Sequence, residues 1–161
     1  MARIEISGDF YEQTPDGSAL ATETVMNTIR TADMLLERIG RLLRPLNVSP
    51  AGGPVLGLLR DRGPLPPSEI SDRMVVTRAT VTGVIDSLER RGFVQRVANP
   101  ADRRSVLIEI TPAGLDVLTR VRALVHREEK AWMAVLSDEE LRDHLDRLHR
   151  IQDGLATAAE D

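Results

Sequence analysis

A mainly α-helical chain with one small β-hairpin is the architecture this sequence predicts, and three observations predict it. Apolar residues recur at spacings of three and four along both flanks of the chain. Two β-rich segments, Val94-Gln95-Arg96-Val97 and Val106-Leu107-Ile108-Glu109-Ile110, flank the turn-forming stretch Asn99-Pro100-Ala101-Asp102-Arg103-Arg104. Just before that hairpin, residues 69–74 and 77–91 read as two short helices joined by a tight turn.

Taken in chain order, residues 1–18 are polar apart from a few positions such as Phe10 and Tyr11, and form either an arm clasping a partner subunit or a disordered extension. A long helix is expected from Ala19 to Leu46. Ile29, Ala32, Leu36, Ile39, Leu43 and Leu46 draw a continuous stripe along it, and Pro45 bends its end. Another helix begins within Ser49 to Leu56. Pro50 suits its first turn, but Pro54 removes an interior hydrogen bond, and Gly52 and Gly53 weaken the turn between them. The segment is therefore expected to be short, loose or locally open. Its glycines either leave room for a ligand or permit close packing against the first long helix. The packing reading is favoured, because small residues at helix crossings are common and no polar constellation lies nearby.

Glu69 to Met74 forms a short helix, Val75-Val76 the turn, and Thr77 the cap of a second helix whose Val81, Val84/Ile85 and Leu88 face a core. Gly92 ends that helix in the left-handed conformation. The face opposite the apolar stripe presents Arg78, Ala79, Thr82 and Gly83, with Thr80 beside them. These are small or polar residues that let a helix lie deep in a DNA major groove, and Arg78 is the best base reader among them. Arginines at a hairpin tip suit the narrow, electronegative minor groove. Helix, turn, helix and basic hairpin in that order make a winged helix-turn-helix over residues 49–111.

After the hairpin, Thr111 as cap and Pro112 at the first position open a helix with Leu115, Leu118, Val121, Val125, Trp132 and Val135 as its apolar face, ending near Leu136. Ser137-Asp138-Glu139-Glu140 is a capping box that starts a last helix with Leu141, Leu145, Leu148 and Leu155 on one side. A lobe of about 60 residues cannot cover the helices of both flanks, so 19–48 and 112–161 are expected to pair with a second copy in a two-fold homodimer.

The DNA-reading stretch resembles the MarR family of bacterial transcription regulators. The residues that carry the resemblance are Thr77 to Gly92 (TRATVTGVIDSLERRG), Phe93-Val94-Gln95-Arg96, Asp102-Arg103-Arg104 and Thr111-Pro112-Ala113-Gly114, 27 residues within positions 77–114. The resemblance implies a dimer with one winged helix-turn-helix per subunit. The recognition helix 77–91 would enter the major groove and the wing 97–105 the minor groove. It implies a minor-groove arginine steadied by an acid, by position Arg104 with Asp102, with Arg103 adjacent; Arg96 joins the expected DNA contacts. It also implies a small aromatic or anionic effector between dimer helices and DNA lobe, for which Met34, Arg38, Arg41 and Pro54 are the candidate lining, since an arginine pairs with a carboxylate. Three positions depart from the family pattern. Pro66 stands where a capping hydroxyl residue is common, leaving Ser68 to cap one turn later. Val75 replaces a turn glycine, and Ala51-Gly52-Gly53-Pro54 interrupts a helix start.

Composition narrows the alternatives. The 161 residues, 42% hydrophobic, can fill one domain-sized core. The absence of cysteine excludes disulfides, thiolate metal sites and a cysteine peroxide sensor. His126, His144 and His149 lie at spacings that place no two on adjacent turns, so no metal site is expected and they read as surface or interface residues. Trp132 reads as core. The chain lacks a transmembrane-length apolar run and a signal-peptide core, and is expected to be cytoplasmic and away from the membrane. No nucleophile and base pair by motif, and Gly52-Gly53 is not a phosphate loop; neither an enzyme nor a cofactor is expected. The net charge of −4 hides an uneven distribution. Residues 60–104 carry nine arginines against six acids, while the remainder is acidic. Phosphate attraction is screened within roughly 8 Å at physiological salt, so an acidic body does not prevent a basic lobe from binding DNA. The expected function is a dimeric repressor on a pseudo-palindromic operator, released by a small molecule. The alternative is a winged-helix protein that binds a protein partner or metabolite without specific DNA recognition, in which Arg78 and Arg104 would be dispensable.

Overall fold

A computed structural model of the chain describes residues 4–6, 17–74, 78–102 and 105–157. Helix α1 spans Ala19–Leu43. The Ser18 side chain starts it by accepting the Ala21 amide at 3.2 Å. The helix stops three residues short of the expected Leu46, because Arg44–Leu46 tighten into a 3₁₀ turn around Pro45. Asn47 then reverses the chain with φ of 56°. Ahead of α1, the Asn27 amide reaches back to pair with Ile4, donating to its carbonyl at 2.9 Å and accepting its N–H at 3.4 Å. The rest of the expected N-terminal arm lies largely outside the described residues.

Helix α2, Gly52–Arg62, corrects the expectation of a loose segment. It begins at Gly52, whose N–H donates to the Ser49 Oγ at 3.1 Å. Pro54 is therefore its third residue, within the first turn, where an amide has no intrahelical acceptor to lose. Both glycines are buried. A Cβ on Gly52 would stand 3.0 Å from Val48 and 3.4 Å from Leu88, and one on Gly53 3.2 Å from Val121. Their smallness thus serves close packing against later helices, and not against α1 as expected.

Helix α3, Pro67–Met74, by contrast starts before the expected Glu69. The Pro66 carbonyl accepts the Ile70 amide at 3.2 Å and Pro67 takes the first helical position, where a missing N–H costs nothing. Ser68 is accordingly inside the helix and is not its cap. The turn Val75-Val76 and the cap Thr77 lie outside the described residues. Helix α4, Arg78–Arg90, buries Val81, Ile85 and Leu88, as its spacing predicts. It closes in a two-bond C-terminal lock: Phe93 N–H to the Leu88 carbonyl at 3.0 Å, and Gly92 N–H to the Glu89 carbonyl at 2.8 Å. Gly92 has φ of 73°, the left-handed conformation its position requires.

Strands β1, Val94–Ala98, and β2, Val106–Ile110, pair antiparallel with Val94 opposite Ile110 and Ala98 opposite Val106. Leu65 adds an isolated bridge on the far side of β2, exchanging both backbone hydrogen bonds with Ile108 at 3.1 and 2.8 Å. The hairpin is thereby stitched to the connection between α2 and α3. Leu56, Leu59, Ile70, Ile85 and Ile108 are among the fully buried side chains at the centre of this lobe. Ile108 thus sits in the core while its backbone is held from both sides.

Helix α5 spans Pro112–Met133 and ends before the expected Leu136. Its buried face is Gly114, Val117, Leu118 and Val121; Leu115, expected inside, is exposed. The reason is the contact at Gly114, which sets the rotation of the first turn. A Cβ there would overlap the Phe93 carbonyl oxygen and stand 2.7 Å from Ile110 Cγ1. The spacing i, i+3, i+4, i+7 therefore runs from Gly114 and not from Leu115. Helix α6, Asp138–Thr157, has the expected capping box. The Ser137 N–H donates to Glu140 at 2.8 Å and the Glu140 N–H donates to the Ser137 Oγ at 3.3 Å. The chain forms two compact units, 1–121 and 122–161. No helix among the described residues is long and apolar enough to cross a membrane.

Candidate nucleic-acid interface

Helix α4 is fixed at one side by Val81, Ile85 and Leu88 and at its end by the Gly92 lock. Its other side is open. Arg78, Ala79, Thr80, Thr82 and Gly83 are exposed together, and nothing lies within 4 Å of the position a Gly83 Cβ would take. The Thr82 hydroxyl donates to the Arg78 carbonyl at 2.9 Å, which turns its lone pairs and methyl group outward. Five of the sequence-predicted contacts thus share one accessible surface of small and polar character. Thr77 is outside the described residues.

The hairpin tip is organised by Asn99. Its Oδ1 accepts the Ala101 N–H at 3.0 Å and its Nδ2 donates to the Ser105 Oγ at 2.7 Å, while the Ser105 N–H donates to the Asp102 carbonyl at 3.1 Å. These bonds close the loop on either side of Arg103-Arg104, residues that themselves lie outside the described set. Asp102 is exposed next to them.

Arg96, expected on the first strand and among the DNA contacts, has two carboxylate partners within the subunit. From the middle of β1 its guanidinium reaches α4, where Nη2 donates to Asp86 Oδ1 at 2.7 Å and Nη1 donates to Glu89 Oε2. Asp86 and Glu89 are three residues apart, so both carboxylates project from one side of α4 toward the strand. The Asp86 hydrogen bond, and after it the charges of Glu89 and Asp86, hold the guanidinium above its ordinary range against the opposing effect of burial. Sequence reading assigned Arg96 to DNA and missed this clamp. The available signal was two acids at i, i+3 on a helix that a basic strand directly follows.

Other arginines of the lobe are also partly neutralised. Arg73 pairs with Glu69 at 2.8 Å one turn away on α3, and Arg60 Nε donates to Asp61 at 2.8 Å. Arg78, Arg90 and Arg91 are exposed.

Behind the site, Thr111 links the end of α4 to the start of α5. Its N–H donates to the Phe93 carbonyl at 3.0 Å, its hydroxyl donates to the Gly92 carbonyl at 2.6 Å, and its Oγ1 accepts the Gly114 N–H at 3.0 Å. The orphan groups left by one helix end and one helix start are satisfied by a single side chain.

The expected effector residues are more dispersed. Met34 is half-buried on α1, Arg38 and Arg41 are exposed there, and Arg41 faces Glu37 of its own helix at 3.7 Å. Pro54 is exposed on α2. Two surface cavities run along α6. One is lined by Leu136, Glu140, Asp143, His144 and Arg147, the other by Arg147, Arg150 and Ile151, and neither includes the four candidates.

Comparison with known proteins identifies this arrangement. A family model described as the MarR family matches residues 49–106. The transcriptional regulator MhqR of Bacillus subtilis is 31% identical over 104 residues, 65% of this chain and 72% of that protein. YfiV of the same organism, described as an uncharacterized regulator of helix-turn-helix type, is 35% identical over 86 residues; the match covers 53% of this chain and only about half, 54%, of that protein. Among solved structures, a mutant MarR from E. coli complexed with operator DNA superposes with a TM-score of 0.69 at 25% identity, over 90% of this chain and 99% of that one. PcaV from Streptomyces coelicolor, solved with its natural ligand, gives 0.66 at 27% identity, over 76% and 89%. The residues that the family model matches hold α2, α3, α4 and the hairpin up to the start of β2, and this chain belongs to the MarR family of helix-turn-helix transcriptional regulators.

Proposed function

We propose that the chain acts as a homodimeric repressor that reads a pseudo-palindromic operator. The observation that carries this reading is the open face of α4, small and polar around Arg78, on a helix held from behind by core packing and at its end by Gly92 and Thr111. Seated in the major groove, that face puts Arg78 where a guanidinium can take two acceptors of a guanine, with Thr80 and Thr82 toward neighbouring bases or phosphates. Arg103 and Arg104 at the wing tip would enter the minor groove, and Asp102 would steady Arg104. Operator DNA bound by a similar structure supports the assignment.

Two-fold pairing is supported by the apolar side chains left exposed on the outer helices. They are Leu20, Val25, Ile29 and Leu36 on α1, and Leu145, Ile151 and Leu155 on α6. Two copies would present recognition helices to half-sites roughly 34–36 Å apart. Release by a small aromatic or anionic ligand is supported by the ligand complex of PcaV, with Arg38 and Arg41 on α1 as the proposed partners of a carboxylate. On this reading the protein works in the cytoplasm, without catalysis.

Fluorescence anisotropy against duplex DNA from the upstream region of its own gene tests the core of the proposal. Binding near ~10⁻⁸ M or tighter, weakening with salt and lost in Arg104→Ala, is the expected result. Weak binding indifferent to sequence and to Arg104 would reassign the fold to a protein partner or a metabolite. For the ligand, equal release of wild type and of Arg38→Ala/Arg41→Ala would remove those two residues from the pocket.

A further inference from the structure

We infer that Arg96 is a positioning residue that sets where the wing stands relative to the recognition helix, and is not itself a phosphate contact. The inference rests on the DNA-reading assignment above and adds how its two halves are held in register. Beyond the turn after Gly92, α4 and β1 need a connection that fixes the sideways position of the hairpin. Backbone bonds fix the hairpin at its base, through Thr111 beside Phe93, and at mid-strand, through Leu65 against Ile108 of β2. On that mid-strand rung, opposite Ile108, Arg96 also bridges from the strand to Asp86 at 2.7 Å and to Glu89.

Three features favour a brace over a DNA contact. The guanidinium is held by two carboxylates on successive turns of α4, so its charge is already compensated and both its Nη groups have a partner. Moving it to a phosphate would leave both acids uncompensated on the helix that must approach the same negative backbone. Finally, the residue pairs across to Ile108, the strand position that is wholly buried and bridged to Leu65, so the anchor is on the best-held rung of the hairpin. A tilt that starts at this rung is amplified at the tip, where Asn99 to Ser105 close the loop. The brace is therefore expected to govern minor-groove discrimination while leaving major-groove reading by α4 in place.

The experiment uses the full-length protein and a duplex it selects from a randomised pool, with anisotropy read over a range of salt. Two altered duplexes are compared with the selected one: the first changes A·T to G·C at the outer, wing-facing positions, and the second changes the inner positions facing α4. For Arg96→Gln, discrimination at the outer positions is expected to fall to about twofold or less. Discrimination at the inner positions should stay within about twofold of wild type, and the slope of log affinity against log salt should not change. The charge-swapped Asp86→Arg/Arg96→Asp protein restores a strand-to-helix pair and is expected to recover most of the outer discrimination. A slope reduced by about one phosphate, ~0.9, with outer discrimination retained, would make Arg96 a backbone contact and overturn the inference. Equal loss at inner and outer positions, no change at either, or no recovery in the swapped protein would overturn it too. Failure of the wild-type protein to select any duplex would instead count against the DNA-reading assignment itself.

Discussion

The lobe built from α2, α3, α4 and the hairpin finishes its own core, whereas α6 does not. In the lobe most large apolar side chains are covered: Leu56, Ile70 and Ile108 are completely buried, and Gly52 and Gly53 are packed to contact distance. Along α6 no residue is buried, and Leu145 and Leu155 are 52% and 67% exposed. Helices α4 and α6 both carry helical apolar spacing, so spacing alone reports that a face needs covering. It does not say whether the covering comes from the same chain. On the proposed reading the contrast divides the labour: the face that would read DNA is held within one subunit, and α6 keeps apolar surface that a second copy would cover.

The largest effects should appear where the contrast is sharpest. Ile108→Ala removes a side chain from the rung that joins Leu65, β1 and the core, and is expected to cost about 3–4 kcal/mol in urea unfolding. Leu145→Asp on α6 should leave the unfolding of the lobe within about 0.5 kcal/mol of wild type. Yet it should raise the dimer dissociation constant at least tenfold in sedimentation equilibrium, a change of about 1.4 kcal/mol. A Leu145 variant that unfolds the lobe, or one that leaves the dimer intact, would break the division. Next in size is Gly114→Ala. Its methyl group would collide with the Phe93 carbonyl, so the start of α5 must shift away from the end of α4 at an expected cost of about 2–3 kcal/mol. Melting temperature and operator affinity should fall together, because the same displacement disturbs the Thr111 link beside Gly92.

Features written in a few adjacent residues were legible beforehand. Gly92 as a left-handed stop, Thr111-Pro112 as a start and the Ser137–Glu140 box were all readable because each is satisfied within one helical turn. The exposed α4 face was readable too, as the complement of Val81, Ile85 and Leu88. What escaped was set by residues distant in sequence. Leu115 looked as apolar as Val117, but the rotation of α5 is chosen by the fit of Gly114 against Phe93, 21 positions earlier. Pro54 looked like a helix breaker because the start of α2 was placed two residues early. The Gly52-Gly53 pair found its partners in Val48, Leu88 and Val121, contacts that no local pattern announces. Arg96 was placed among the DNA contacts with the family motif, and its two carboxylate partners, Asp86 and Glu89 one turn apart on the preceding helix, were not read.

The smallest expected effect concerns the one helix start that stands on α6. Glu140 accepts hydrogen bonds from the Ser137 backbone N–H at 2.8 Å and from its hydroxyl at 2.9 Å. These bonds favour the carboxylate and hold its pKa below the usual glutamate value, the backbone bond contributing most. A carboxyl whose folded pKa is depressed contributes stability above its unfolded value and loses it as pH falls through the folded one. Glu140→Gln should therefore melt slightly below wild type at neutral pH, with the gap closing as the solution is acidified past the ordinary glutamate range into the lowered one. Because Glu140 is fully exposed, solvent screening keeps the gap small, and raising salt should narrow it without abolishing it, since the backbone bond is short and local. A gap independent of pH would mean that the glutamine caps as poorly at every protonation state. Helix propensity, not the charge at the start of α6, would then set the difference.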